Sequence, residues 1–211
     1  MIMKPAVSAP LPNPDWTTDK TTQFWLRAKA QAIIDSHSTK ASENDAQVAG
    51  YPPLTGEGAN DRAANISLLL ADENATLALA ARLAARLKPG LVIHLHGDLG
   101  AGKTCLVRGV LNALGYNGRI KSPTYTLLEP YRVAGLDLRH FDLYRLQDDN
   151  DWELAGFRDE FDGNNILFIE WPEKAHVPPA DIVIDLEILP HGRCAIIKGI
   201  TSTGRACLKQ I

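Results

Sequence analysis

Eight consecutive residues restrict this chain more than any others. Gly97-Asp98-Leu99-Gly100-Ala101-Gly102-Lys103-Thr104 carries glycine at its first, fourth and sixth positions and ends on Lys-Thr. Glycine accepts the dihedrals that let a loop curl until successive N–H groups point inward, and such a concave row holds an anion. The lysine adds a point charge and the threonine a hydroxyl oxygen. This spacing predicts a loop that cradles a polyphosphate, with Lys103 on the outer phosphates and Thr104 on Mg²⁺. The flanks agree. Leu91-Val92-Ile93-His94-Leu95-His96 is a short apolar run ending at a glycine, which predicts a buried strand. Lys103 to Leu114 repeats apolar residues at Leu106, Val107, Val110, Leu111 and Leu114, at helical spacing, and Gly115 is a stop. That helix would add the positive end of its dipole to the anion site. A dinucleotide fingerprint is excluded, because the glycines run G-x-x-G-x-G and not G-x-G-x-x-G. The expected ligand is ATP with Mg²⁺.

The rest of the pattern supplies a frame for this loop. Asp72 is placed to cap a helix from about Glu73 to Lys88, with Thr76, Leu79, Ala80, Leu83 and Leu87 on one face and Pro89-Gly90 at its end. Strands are predicted over Thr124–Tyr131, His140–Tyr144, Ile166–Glu170, Asp181–Leu189 and Cys194–Ile200, the last two joined by a turn at Pro190–Arg193. A short helix from about Asp151 to Phe161 fits Leu154, Phe157 and Phe161. Alternating strands and helices around a P-loop predict an α/β fold: a mostly parallel central sheet with antiparallel edge strands, flanked by helices. This domain is expected to span 66–211. Residues 1–65 are rich in proline and polar residues, and are expected to be largely disordered. Within them Thr22 to Asp35 carries Phe24, Trp25, Leu26, Ile33 and Ile34, either an amphipathic helix that docks or a transient one.

Composition narrows the function classes. A formal net charge of −3 is not the basic balance of a dedicated nucleic-acid binder. The three cysteines, Cys105, Cys194 and Cys207, form no C-x-x-C pair, which argues against a zinc site or a disulfide framework. With no signal-peptide pattern and no long apolar run, the expected location is the cytoplasm, away from any membrane.

A P-loop needs an acid for the magnesium shell, usually at the end of an apolar strand. In Ile166-Leu167-Phe168-Ile169-Glu170, Glu170 is the first charge after four apolar residues. Asp142, in His140-Phe141-Asp142-Leu143-Tyr144-Arg145, alternates with Phe141 and Leu143 and so faces the other side of its strand. It either orients or deprotonates a water, or pairs with a cation such as Arg145. Lys121-Ser122-Pro123-Thr124-Tyr125-Thr126 stands where many NTPases keep a γ-phosphate-sensing loop. His94, His96 and His140 have no ligand spacing, and the first two read as core or edge residues. Trp171 either stacks on a base or caps the core.

Taken together, these segments resemble the TsaE family of small P-loop ATPases from tRNA threonylcarbamoyladenosine synthesis. The likeness runs from about Leu70 to the C-terminus. It rests on Asp72–Thr76, the P-loop, Lys121-Ser122-Pro123-Thr124-Tyr125-Thr126-Leu127, His140–Arg145 and Glu170-Trp171-Pro172-Glu173. The resemblance implies Thr76 near the adenine, Thr104 and Glu170 at Mg²⁺, and Asp142 as catalytic acid/base or water-orienting group. It implies Thr124 in a switch loop by the γ-phosphate, and Trp171 by the nucleotide or the partner surface. It also implies weak intrinsic ATPase activity and a role in resetting a TsaD–TsaB transferase complex, with tRNA met through that complex. Cys105 departs from the family's frequent second threonine, though its backbone N–H still suits the α-phosphate. Two alternatives remain: a P-loop kinase acting on a small metabolite, and a nucleotide-gated docking protein.

Overall fold

The computed structural model describes residues 65–146, 156–209 and 211. All of the expected N-terminal extension except Asn65 lies outside them, including the helix expected at 22–35.

Seven strands form one sheet: β1 (Asn65–Leu70), β2 (Val92–His96), β3 (Leu128–Val133), β4 (Leu136–Asp142), β5 (Ile166–Glu170), β6 (Ile182–Ile188) and β7 (Arg193–Gly199). Helices α1 (Glu73–Ala84), α2 (Lys103–Ala113) and α3 (Ser202–Leu208), with 3-10 turns at Phe157–Glu160 and Pro172–Lys174, complete the described elements. Strand order is β1-β7-β6-β2-β5-β4-β3. The inner pairs β6–β2, β2–β5 and β5–β4 are parallel. The outer pairs β1–β7, β7–β6 and β3–β4 are antiparallel. This is the expected parallel centre with antiparallel edges. It leaves the C-terminal ends of β2, β4 and β5 side by side, where open α/β sheets bind ligands.

The two faces of the sheet are unequal. The larger core packs α1, α2 and the end of α3 against Ile93, Leu95, Phe168, Ile182, Ile184 and Ile197. The smaller one gathers Phe141, Leu143, Leu146, Leu167 and Ile169 under Phe157, Phe161 and Trp171. Alternation along β4 and β5 sends neighbouring residues to opposite cores. Asp72 caps α1 by accepting from the Ala75 N–H at 2.9 Å. Asp181 ties three elements together: its carboxylate accepts from the Val92 N–H and from the Thr201 hydroxyl, the cap of α3.

Several boundaries differ from expectation. Helix α1 ends at Ala84, four residues early, because the chain turns tightly there, with Arg86 N–H on Leu83 O and Leu87 N–H on Ala84 O. Residues 124–127 are a turn and not the start of β3. The Leu127 N–H closes on Pro123 O at 2.6 Å, and Leu127 is left-handed with φ 62°. Strand β4 starts at Leu136, earlier than expected. Ala134 and Gly135, both at positive φ (51° and 76°), make the two-residue turn that pairs Val133 with Leu136. Residues 151–155 of the helix expected at Asp151–Phe161 lie outside the described residues, and Phe157–Glu160 is a 3-10 turn. Neither β1 nor α3 was anticipated. Strand β1 is half exposed, and α3 is a seven-residue helix.

Candidate functional site

The P-loop joins the end of β2 to the first turn of α2. Gly97, Gly100 and Gly102 have φ of 132°, 81° and 107°, so each occupies the conformation that only glycine adopts freely. Leu99 projects from the loop, 71% exposed. Lys103 is buried and bends back over its own loop. Its Nζ donates to the carbonyls of Gly97 and Asp98 and sits 4.1 Å from the centre of the Trp171 ring. Burial pulls the Lys103 ammonium below its ordinary value, against the opposing pull of Glu170 and Asp142.

Glu170 ends β5 opposite Leu95 of β2 on one side and Asp142 of β4 on the other. That register sets both carboxylates at the rim of the P-loop. One oxygen of Glu170, Oε1, accepts from the Thr104 hydroxyl at 2.8 Å and from His140 Nε2 at 2.8 Å. Glu170 and His140 are 3% and 1% exposed, so this carboxylate has almost no water to choose instead. The carboxylate makes the Nε2–H tautomer of His140 the fitting one, which leaves Nδ1 without a partner among the described residues. His140 was not recognised in the sequence. The available signal was its position two residues before Asp142, which puts both on the same side of β4.

Asp142 is buried and makes no ion pair with Arg145, which lies over the Tyr125 ring at 4.3 Å. Its Oδ2 accepts from the Thr124 hydroxyl at 2.6 Å and from Ser122 at 3.4 Å, while Oδ1 accepts from the Tyr144 N–H. The turn at 123–127 is therefore tied directly to Asp142, and the Asp142 N–H in turn donates to Leu127 O. Trp171 is left-handed (φ 59°), and packs on Tyr144 with ring centres 5.0 Å apart.

A cleft of about 300 Å³ opens among these groups, lined by P-loop residues, Thr104, Cys105, Thr124, Asp142, Glu170, Trp171 and Arg193. It thus collects most of the residues singled out in the sequence. Gly97, Asp98 and Ala101 belong to the loop but do not line the cleft. Thr76 stands apart: its side chain is buried in α1, with its hydroxyl on Asp72 O at 3.3 Å, and does not line the cleft. The i to i+4 geometry of a helix turned it inward. Cys105 lines the cleft with its thiol pushed up by burial and by the nearby Glu73 carboxylate, 3.7 Å away, which makes it less reactive than a free thiol. His96 bonds Glu173 at 3.5 Å, joining the β2 and β5 ends.

Among the described residues there is no group of three or more His, Cys, Asp or Glu side chains able to hold a metal by themselves. The donor set at Thr104 and Glu170 is two hard oxygens, which suits Mg²⁺ shared with phosphates. No helix among the described residues is long and apolar enough to cross a membrane.

Comparison with known proteins agrees with this geometry. The family model described as "Threonylcarbamoyl adenosine biosynthesis protein TsaE" matches residues 70–194. A tRNA threonylcarbamoyladenosine biosynthesis protein TsaE from Haemophilus influenzae is 44% identical over 117 residues, covering 54% of this chain and 74% of the relative. One from Rickettsia felis is 41% identical over 135 residues, covering 62% and 78%. The crystal structure of Bacillus subtilis YdiB superposes with a TM-score of 0.56 at 25% identity, covering 71% of this chain and 94% of that one. With the family model spanning more than half of its length, P-loop and strand-end acids included, this chain belongs to the TsaE family of tRNA threonylcarbamoyladenosine biosynthesis.

Proposed function

We propose that this chain is the Mg²⁺-dependent, ATP-binding and ATP-hydrolysing subunit of its pathway, and that its ATP cycle resets a TsaD–TsaB transferase complex between rounds. tRNA is met only through that complex. One observation carries the reading: Glu170 and Asp142 end adjacent strands, one beside the Thr104 hydroxyl and the other beside the Ser122–Thr124 turn, in a single P-loop cleft.

The residues divide the work. The P-loop amides hold the phosphates, and Lys103 exchanges two backbone carbonyls for phosphate oxygens, a stronger charge-assisted pairing. Thr104 and Glu170 hold Mg²⁺, which when bound neutralises charge on the outer phosphates. Asp142 accepts bonds from the turn and orients or deprotonates the attacking water. Because Thr124 is bonded to Asp142, any contact of this turn with the γ-phosphate changes the outer surface at Tyr125, which is 82% exposed. That linkage would pass the nucleotide state to a partner.

The test is ATP hydrolysis with and without purified TsaD–TsaB. The expected result is slow turnover alone and a large stimulation by the pair. A phosphorylated metabolite formed one-for-one with ADP would replace this reading with the kinase. Repeated modification cycles supported by Asp142→Asn would replace it with a docking protein whose hydrolysis is dispensable.

A further inference from the structure

The turn at 123–127 is fastened to residues 142–145, just where β4 ends. The Asp142 N–H donates to Leu127 O at 3.1 Å, and the Thr124 hydroxyl donates to Asp142 Oδ2 at 2.6 Å. On the outside, the Arg145 guanidinium lies over the Tyr125 ring at 4.3 Å. Leu127 stands in the left-handed region, with φ 62°, which a residue other than glycine keeps only where its surroundings enforce it. The strain works towards release of the turn, and the fastenings work against it.

Closed in this way, the turn occupies Asp142. Oδ2 accepts from Thr124 and, at 3.4 Å, from Ser122, while Oδ1 accepts from the Tyr144 N–H at 3.2 Å. A carboxylate offers roughly two acceptor positions on each oxygen, so Oδ2 is filled. Asp142 as a whole is 4% exposed. A group that orients or deprotonates a water has to bond it, within about 2.6–3.2 Å. On Oδ2 the Thr124 hydroxyl already stands where that water would bind.

The Arg145 contact is the part of the clasp that stands clear of the chemistry. Tyr125 is 82% exposed, Arg145 is exposed, and neither lines the P-loop cleft. Their contact therefore reaches Asp142 only through the turn. Tyr125 follows Thr124 directly in the chain, so a displaced ring draws the Thr124 hydroxyl off Oδ2. A cation on the face of an exposed ring is a modest attraction, which suits a clasp that has to open. The coupling is reciprocal: whatever draws Tyr125 away uncaps Asp142, and whatever holds Asp142 uncapped frees Tyr125.

We propose that the 123–127 turn is an autoinhibitory cap on Asp142, and that Arg145 is the positioning residue that keeps it closed through Tyr125. Capped molecules hydrolyse slowly, and a partner that takes hold of Tyr125 speeds hydrolysis by lifting the cap. The inference rests on the hydrolytic reading of the cleft.

The test is ATP hydrolysis with Mg²⁺ by the full chain alone, for the wild type, Arg145→Ala, Arg145→Lys, Tyr125→Ala and the Arg145→Ala, Tyr125→Ala double variant. Amide hydrogen exchange of the same proteins, without added nucleotide, reads the turn directly. Arg145→Ala is expected to raise kcat about two- to fivefold, the scale of one exposed cation–π contact. Tyr125→Ala should match it, and the double variant should exceed neither. Arg145→Lys, which keeps a cation, should fall between wild type and Arg145→Ala. Exchange at the Leu127 and Asp142 amides should speed by the same factor. In an Asp142→Asn background Arg145→Ala should leave the rate where that background sets it. An Arg145→Ala rate equal to or below wild type overturns the proposal, and so does a gain that persists with Asp142→Asn. Unchanged intrinsic turnover with weaker stimulation by TsaD–TsaB also overturns it, and makes Arg145 a partner contact instead. If Arg145→Ala does not fold, Arg145→Lys and Tyr125→Ala decide between the same outcomes. A wild type that hydrolyses no ATP, alone or with TsaD–TsaB, overturns the hydrolytic reading as well. Hydrolysis by the wild type with no gain in the variants overturns the cap alone.

Discussion

At the Glu170 end of the cleft the side chains bond to one another. Thr104 and His140 share one carboxylate oxygen, Thr124 and Ser122 hold Asp142, and Lys103 bonds its own loop. At the Arg193 end a guanidinium lies over Gly102 with Nε bonded to nothing among the described residues. A closed network keeps reactive groups in place before the ligand arrives, but ligand contacts there must replace bonds already made. A guanidinium whose bond to the loop is a 3.5 Å contact with Gly100 O has little of that kind to lose. The first end is closed on itself and the second is left open.

The comparison breaks most readily at Lys103, which serves both ends. Lys103→Ala should weaken ATP binding by at least about a hundredfold in a calorimetric titration, since under the proposed function it removes the charge-assisted bonds to the phosphates. Binding that matched wild type would mean that the cleft is not a P-loop site.

Glu170→Gln and Asp142→Asn should separate chemistry from retention. Each is expected to slow single-turnover hydrolysis by roughly a hundredfold or more, while ADP affinity changes by less than about tenfold. Equal losses in ADP affinity and rate would merge the two ends into one.

His140 sharpens the first end. It touches no expected substrate atom, and acts by holding Glu170. His140→Leu should raise the Mg²⁺ concentration for half-maximal hydrolysis by about tenfold to a hundredfold, the scale of lost support behind a metal-holding carboxylate. His140→Asn, which keeps a donor, should restore part of that. A merely structural role would lower the melting temperature of both variants and leave the Mg²⁺ profile alone.

Beneath both ends, His94 on β2 predicts a pH dependence of stability. Its Nε2 is 3.0 Å from Pro178 O, and burial lowers its pKa from 6.5 to about 4. The folded protein therefore holds His94 neutral where the unfolded chain takes up a proton. Its stabilising contribution is complete above pH 6.5 and is lost as pH falls towards 4. Between pH 7 and 5 the loss should be about 1–2 kcal/mol, read as a lower urea midpoint, and His94→Gln should flatten the profile.

The smallest effect belongs to Cys105. At pH 8 its alkylation should run a few-fold slower than that of a free thiol, because burial and Glu73 disfavour the thiolate. Glu73→Gln should speed it. A fast Cys105 would make the Arg193 end of the cleft redox-sensitive.

Local pattern made some of this legible in advance. Ile166–Glu170 is four apolar residues and an acid, and the strand lies over those residues because burial on both faces demands such a run. The β6–β7 hairpin was equally readable from its turn residues. The turn at 123–127 was not. Thr124, Tyr125 and Thr126 favour strand by composition, and what overrides them is the Leu127 bond to Pro123 together with the tie from Thr124 to Asp142. Thr76 is a different case: the resemblance implies a place near the adenine, and only the fold shows its side chain buried in the helix with its hydroxyl on Asp72 O.

What the sequence determined by itself was the P-loop with β2 before it and α2 after it, and the apolar strand that ends on Glu170, since these follow from spacing within a few residues. What only the tertiary structure decided was pairing across long separations. His140 reaches Glu170 over 30 residues, Thr104 reaches Glu170 over 66, and Arg193 reaches Gly100 over 93. Periodicity gives the side of a strand on which a residue stands, but the register between strands determines whom it meets. That register is chosen by the burial of whole faces of the sheet, a property that no short window of sequence contains.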